Sequence, residues 1–243
     1  MHCAKTAIEL REVSYSYPDG TAGLDVLTTL IRHEERVALL GPNGAGKSTL
    51  IGHLNGILTP TSGTVLIEGE PLTPATVRAV RERVGVVFQD PDNMLFMTRV
   101  SDDVAFGPLN AGLEADEVRA RVARALAAVD LEAQSDRPGM HLSFGQKKRA
   151  ALASVLSCEP AILVLDEPTS NLDPRARREM IAFVRGLDIT LLVATHDLDL
   201  AWELCERTLV LDEGRVVADG PTRQLLRDEE LMLAHGLDVV EKR

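Results

Sequence analysis

Gly41-Pro42-Asn43-Gly44-Ala45-Gly46-Lys47-Ser48-Thr49 sets three glycines, a lysine and two hydroxyls in one short stretch. The spacing is G-x-x-x-x-G-K-[ST], which cradles phosphates when it joins a strand to a helix. Glycines let the backbone curl so that successive N–H groups face an anion, and Gly41, Asn43, Gly44, Ala45 and Gly46 lie along that curl. A helix starting near Lys47 adds the positive end of its dipole. Lys47 places a point charge against the outer phosphates of a nucleoside triphosphate. The Ser48 hydroxyl can ligate Mg2+, and Thr49 can bond an inner phosphate. With only 18 glycines in 243 residues, an accidental match in strand-turn-helix context is rare.

A second group of reactive residues follows the apolar run Ile162-Leu163-Val164-Leu165, which ends in Asp166-Glu167. A carboxylate at the C-terminal end of a parallel strand stands where open α/β sheets bind ligands. Asp166 then holds Mg2+ directly or through its water shell, and Glu167 is free to polarise an attacking water as general base. Acidic residues also close strands simply by forming turns, so this pair draws its meaning from the phosphate loop upstream.

The elements that must position these groups read as an α/β fold. Aliphatic runs at Ile8 to Val13, Arg36 to Leu40, Thr64 to Glu68, Val84 to Phe88, Ala161 to Leu165, Ile189 to Ala194 and Thr208 to Leu211 suggest strands. Continuous apolar strands separated by helices predict a mostly parallel sheet covered on both faces. Closer spacing among the first strands predicts a small antiparallel piece at the N-terminus. From Pro91 to Ser157 strand signals are scarce and two helices are indicated, one with Val118, Val122, Leu126 and Val129 on a single face. We read one domain over 1–243, a core of 1–90 and 158–243 with a helical subdomain, 91–157, inserted. Pro91, Gly107, Pro108, Gly112, Pro138 and Gly139 are expected at its joints.

Composition narrows the function classes. Aromatics are 3%, so aliphatic side chains must fill the core. A net charge of −11 repels nucleic-acid phosphates unless basic residues are concentrated locally. The run Arg119, Arg121, Arg124 reads as the wet side of a helix. Cys3, Cys158 and Cys205 lack metal-type spacing and read as reduced thiols. Met1 to Leu10 has no signal-peptide core, and no apolar run is long enough to span a bilayer.

Further motifs resemble the ATP-binding cassette (ABC) family over nearly the whole chain. Leu142-Ser143-Phe144-Gly145-Gln146 resembles the family signature LSGGQ, with Phe144 in place of the middle glycine. A serine hydroxyl, a glycine and a helix N-terminus make an anion site there. Ser143 with Gln146 three residues on also reads as a capping box. Gln89 resembles the Q-loop glutamine, which touches Mg2+ and senses the γ-phosphate. Ser170-Asn171-Leu172-Asp173 resembles the D-loop, and His196 the switch histidine. Tyr17 is placed like the aromatic that stacks on adenine, with Tyr15 as its competitor. Each of these, taken singly, is also an ordinary polar loop or core residue. Glu34-Glu35 stands where Gly-Glu is common. The resemblance implies an ATPase with Glu167, His196 and Gln89 as its catalytic group. It also implies that Ser143, Gly145, Gln146 and Asp173 serve an ATP bound to a second subunit, identical or a related paralogue.

Val87 to Phe96, then Asp103-Val104-Ala105-Phe106-Gly107-Pro108-Leu109-Asn110, is similar to the energy-coupling factor ATPases of cobalt, nickel and vitamin importers. Ala194 to Ala201 and Ala218 to Thr222 read like the cobalt-type branch; Met94 departs from the usual glutamine. The resemblance implies a peripheral protein on the cytoplasmic face of the cell membrane. Its partners would be an integral membrane coupling subunit and a substrate-binding membrane subunit, with no nucleic acid. Leu95, Phe96 and Phe106 are either subdomain core or the lining of a groove for a partner helix. The rival reading is a soluble ABC ATPase acting on nucleic acid or ribosomes. The acidic balance, a single ATPase domain and the absence of a long coiled coil between Lys47 and the signature disfavour it.

Overall fold

Five of the aliphatic runs have almost no polar face because both sides of their sheet are covered. In the computed structural model, which describes residues 5–239, the chain runs β1 (Thr6–Ser16), β2 (Ala22–Arg32), β3 (Arg36–Leu40), α1 (Lys47–Leu54), β4 (Ser62–Ile67), β5 (Glu70–Pro71), α2 (Val77–Arg83) and β6 (Val84–Val87). Three helices follow: α3 (Val100–Asn110), α4 (Ala115–Ala128) and α5 (Phe144–Leu156). Then come β7 (Ile162–Asp166), α6 (Pro174–Arg185), β8 (Thr190–Ala194), α7 (Leu198–Leu204), β9 (Arg207–Asp212), β10 (Arg215–Pro221), α8 (Thr222–Leu225) and α9 (Glu229–Ala234). The larger sheet has the order β10-β9-β3-β8-β7-β6. Its strands are parallel except for the antiparallel edge strand β10. The smaller sheet, β2-β1-β4-β5, is antiparallel.

One apolar cluster joins the two sheets around α1, including Ile8, Leu39, Ile51 and Val164. A second, with Leu163, Leu165, Ile181 and Val193, covers the other face of the larger sheet. The third, with Val104, Leu126, Val129 and Leu131, binds α3, α4 and α5 together. Within it the predicted face of α4 points inward, and the arginines opposite are ion-paired. Arg119 meets Asp116, while Arg121 and Arg124 meet Glu117 and Glu159.

Several elements escape the sequence pattern for physical reasons. In β2 a register shift at Val26, which has φ +48°, breaks strict alternation, so Leu24, Leu27 and Ile31 point inward. Strand β10 lies on the sheet edge with no buried residue and carries no apolar run. Gly107 and Pro108, expected at a joint, lie inside α3. A Cβ at Gly107 would stand 2.2 Å from the Cys158 sulfur, so glycine permits α3 to close on the end of α5. Pro108 cannot donate to the Val104 carbonyl one turn back; the Ser157 hydroxyl does so instead at 2.7 Å. Three α-helices therefore occupy the stretch in which the pattern indicates two. Glu34 adopts φ +65° in the turn between β2 and β3, a conformation suited to the glycine common there. Cys158 and Cys205 are free, and burial pushes the Cys205 thiol up to about 12. Cys3 lies outside the described residues.

Candidate functional site

The order β3, β8, β7, β6 in the larger sheet stands the loops after these four parallel strands side by side at their C-terminal ends. The glycine-rich loop follows β3, Thr195 and His196 follow β8, Asp166 closes β7 with Glu167 just beyond, and Gln89 follows β6. Register does the fine positioning: Asp166 lies opposite Ala194, so Glu167 emerges beside Thr195 and His196. A cavity of about 490 Å³ opens here. It is lined by Tyr17, Asn43, Gly44, Gly46, Lys47, Ser48, Thr49, Gln89, Asp166, Glu167 and His196, together with Thr21, Ala22 and Gly23. Those last three residues have no motif; only the Pro18-Asp19-Gly20 turn after Tyr17 hints that the chain doubles back over the loop.

Gly46 caps the N-terminus of α1 at φ +104° with no side chain bonded to the free helical N–H groups. A Cβ there would stand 2.5 Å from the Gly23 carbonyl oxygen, and one at Gly41 2.2 Å from that of Leu211. Glycine is thus needed for close approach as well as curvature. Gly41 and Ala45 are buried and shape the loop from behind rather than lining the cavity. The Lys47 ammonium donates to the carbonyls of Gly41 (2.6 Å) and Pro42 (3.0 Å). Burial holds its pKa below the usual lysine range, against the pull of Glu167 and Asp166. The Tyr17 hydroxyl bonds Thr49 Oγ1 at 2.8 Å, with its ring half-exposed, whereas Tyr15 packs against the core.

Asp166 is buried, and that burial raises its pKa, with the charge of Glu167 adding to it. Lys47, Lys148 and a hydrogen bond from Ser48 oppose the rise. A hydroxyl and a desolvated carboxylate sharing one wall are hard oxygen donors that suit Mg2+. Beside them, the uncapped amides of α1 and the Lys47 charge suit phosphate. This donor set therefore fits a magnesium–triphosphate pair.

Glu167 is fixed from both ends. Its carboxylate accepts from the His196 N–H (2.9 Å) and the Thr195 hydroxyl (3.0 Å), and lies 2.7 Å from His196 Nδ1. Its own N–H donates to the Ala194 carbonyl at 2.8 Å. The Lys148 ammonium and Ser170 hydroxyl bond its carbonyl oxygen. Lys148 is fully buried, and desolvation lowers its pKa to about 8 against the carboxylates of Glu167, Asp166 and Asp90. Thr195 and Lys148 carry no distinguishing spacing and are visible only once the fold is known.

Ser143, Gly145, Gln146 and Asp173 do not line this cavity. Ser143 is exposed at the start of α5 in a complete capping box: its hydroxyl accepts from the Gln146 N–H (3.3 Å), and its N–H donates to Gln146 Oε1 (2.9 Å). Asp173 caps α6 by accepting from the N–H groups of Arg175 and Ala176.

A second hollow, of about 310 Å³, lies between β6 and the helices. Met94, Phe96, Asp103, Phe106 and Arg81 are among its lining. Phe96 and Phe106 are exposed and meet edge to face at 5.0 Å, whereas Leu95 packs into the helical cluster. Asp103 is 3% exposed; one carboxylate oxygen accepts from the N–H groups of Phe96 and Met97, and the other has no partner.

The sequence pattern of the ABC transporter family matches residues 24–170. A Streptomyces coelicolor protein named as an ABC transporter ATP-binding protein is 52% identical over 236 residues, covering 97% of this chain and 91% of its own. The energy-coupling factor transporter ATP-binding protein EcfA of Methanothermobacter thermautotrophicus is 46% identical over 230 residues, 93% of this chain and 74% of its own. Among solved structures, cbiO1 of Clostridium perfringens, part of the ABC transporter complex cbiONQ, superposes with a TM-score of 0.83 at 41% identity. The match covers 95% of this chain and 94% of that one.

Proposed function

The chain belongs to the ABC transporter family as an ATP-binding subunit of energy-coupling factor type, and from that premise we propose how its residues divide the work of ATP hydrolysis and pass it to a membrane. ATP sits in the cavity at the ends of β3, β8, β7 and β6, with adenine on the Tyr17 ring. The loop amides and Lys47 grip its phosphates. Ser48, Asp166 and Gln89 hold Mg2+, which neutralises charge on the outer phosphates. Glu167 takes a proton from the attacking water. His196, braced against Glu167 at 2.7 Å, bonds the γ-phosphate from its exposed edge.

One observation carries the reading: Ser143, Gly145, Gln146 and Asp173 lie outside the cavity that the other site residues share. They have a ligand to meet only on a second ATPase subunit, a copy of this chain or a related paralogue. A twofold pair of such subunits holds two ATP molecules, each between one phosphate loop and the partner's α5. ATP binds the closed pair better than the open one, and hydrolysis removes that preference, which makes a power stroke.

The hollow beside β6 receives a helix of the integral membrane coupling subunit. Phe96 and Phe106 offer it apolar contact, and Asp103 holds the Phe96–Met97 turn in place by accepting from both N–H groups. The cargo is cobalt, nickel or a vitamin, selected by a separate substrate-binding membrane subunit. The chain works peripherally on the cytoplasmic face, and among its described residues no helix is long and apolar enough to cross a membrane. Capture from detergent-solubilised membranes with this chain as bait tests the assignment. An integral membrane subunit in the eluate is expected, and Phe96→Asp, at an exposed side chain, should lose it; ribosomes or DNA without a membrane subunit would refute it.

A further inference from the structure

Lys148 stands behind Glu167 with a charge that none of the steps above uses. It is 2% exposed, and a lysine is rarely so buried unless its ammonium is met. Here it donates to the Glu167 carbonyl at 2.6 Å and to Ser170 Oγ at 3.1 Å. Ser170 reaches the same carbonyl through its hydroxyl (2.9 Å) and its N–H (3.2 Å), so three donors converge on one oxygen. The Phe144 ring, one turn earlier on α5, lies 5.8 Å from the ammonium, within cation–π reach. The phenylalanine that replaces a signature glycine thus forms a wall of the niche holding this lysine.

The carbonyl needs holding because Glu167 sits at φ +46°, a conformation that long side chains rarely adopt and that persists only when its surroundings determine it. The plane of the peptide after Glu167 fixes the backbone from which its side chain projects toward Thr195 and His196. We propose that Lys148 is a positioning residue. From the helix that begins at Ser143 it clamps the Glu167 carbonyl and thereby aims the Glu167 carboxylate at the attacking water. The inference rests on the reading of Glu167 as general base. It gives α5 two contacts with chemistry: its start faces the nucleotide of the second subunit, and its second turn holds the base of its own. Movement of α5 as the two subunits meet reaches Glu167 directly.

The test is a kinetic cycle on the ATP-bound pair of subunits. Lys148→Met keeps an unbranched side chain out to the ε carbon and removes the donor. Turnover should fall at least about tenfold with the KM for ATP unchanged within about twofold, the pattern of a misplaced group. In the Glu167→Gln background the same change should cost less than about twofold, because the group it positions is already gone. Unchanged turnover, a loss carried by KM, or an equal loss in both backgrounds would overturn the proposal. Ser170→Ala deletes one hydroxyl of the clamp and carries the test if Lys148→Met does not fold. It should slow turnover in the same background-dependent way, and full-speed turnover would count against the clamp. Slow Glu167→Gln with full-speed Lys148→Met removes this inference alone; normal turnover by Glu167→Gln removes the reading of the base and the inference with it.

Discussion

Two helix N-termini in this molecule carry the features of anion sites, and they are finished differently. At α1, glycine caps the helix, no side chain bonds its first amides, and Lys47 and Asp166 stand in the surrounding cavity walls. At α5, Ser143 and Gln146 satisfy each other's backbone in a capping box on an exposed surface. The first leaves its polar groups for a ligand to complete. The second is stable without one, and its exposure leaves it free to approach something outside the chain. On the proposed reading such a chain holds half of each of two sites, and its activity should depend on concentration and on partner identity as much as on its own cavity.

The sharpest way to break the comparison is to remove chemistry from one end and ask whether binding survives. Glu167→Gln should slow turnover by at least about 10²-fold, the scale of general-base loss, while ATP binding persists and the ATP-bound dimer accumulates on a sizing column. Lys47→Ala should weaken ATP affinity by about 10²-fold through loss of charge-assisted bonds, measured by nucleotide titration; retained micromolar affinity would contradict it. Ser143→Arg, at the other end, should leave ATP affinity of the isolated chain within about twofold but reduce turnover at least about tenfold by blocking closure.

The smallest effect separates the helices by stability. His53 on α1 is buried, bonds the Thr49 carbonyl through Nδ1 at 2.7 Å, and has no partner at Nε2. Burial lowers its pKa below the ordinary 6.5. The unfolded chain therefore takes up this proton first as the pH falls, and stability drops from about pH 6.5 downward until the folded value is passed. His53→Met lacks this loss, so the difference in thermal midpoint, variant minus parent, should rise between about pH 7.5 and pH 5.5. A constant difference would show that His53 does not titrate as its burial demands.

Much of the phosphate-loop end was legible because its chemistry is local. Gly41 to Thr49 encode loop, helix start, charge and hydroxyl in consecutive residues, and Asp166-Glu167 close an unambiguous buried run. The capping box at Ser143 was legible for the same reason. What stayed hidden depends on contacts distant in sequence. The Thr195 hydroxyl acquires meaning only because β7 and β8 pair in one register, and Lys148 only because α5 crosses behind Glu167. Gly107 and Pro108 read as a joint because the pattern cannot show Cys158 pressing on one and Ser157 relieving the other. Strand β2 was lost to a bulge and β10 to its edge position, where no face needs to be apolar.

The shared site is tested most directly by mixing two dead subunits. Lys47→Ala chains keep an intact α5, and Ser143→Ala chains, which lose the signature hydroxyl without adding bulk that blocks closure, keep an intact phosphate loop, so a mixed pair holds one complete site. Equimolar mixing should restore ATP turnover to about a quarter of the parent rate per chain, since about half the pairs are mixed and each has one working site of two. If mixed pairs form and turnover stays at the level of the separate variants, each chain completes its own site and the account fails.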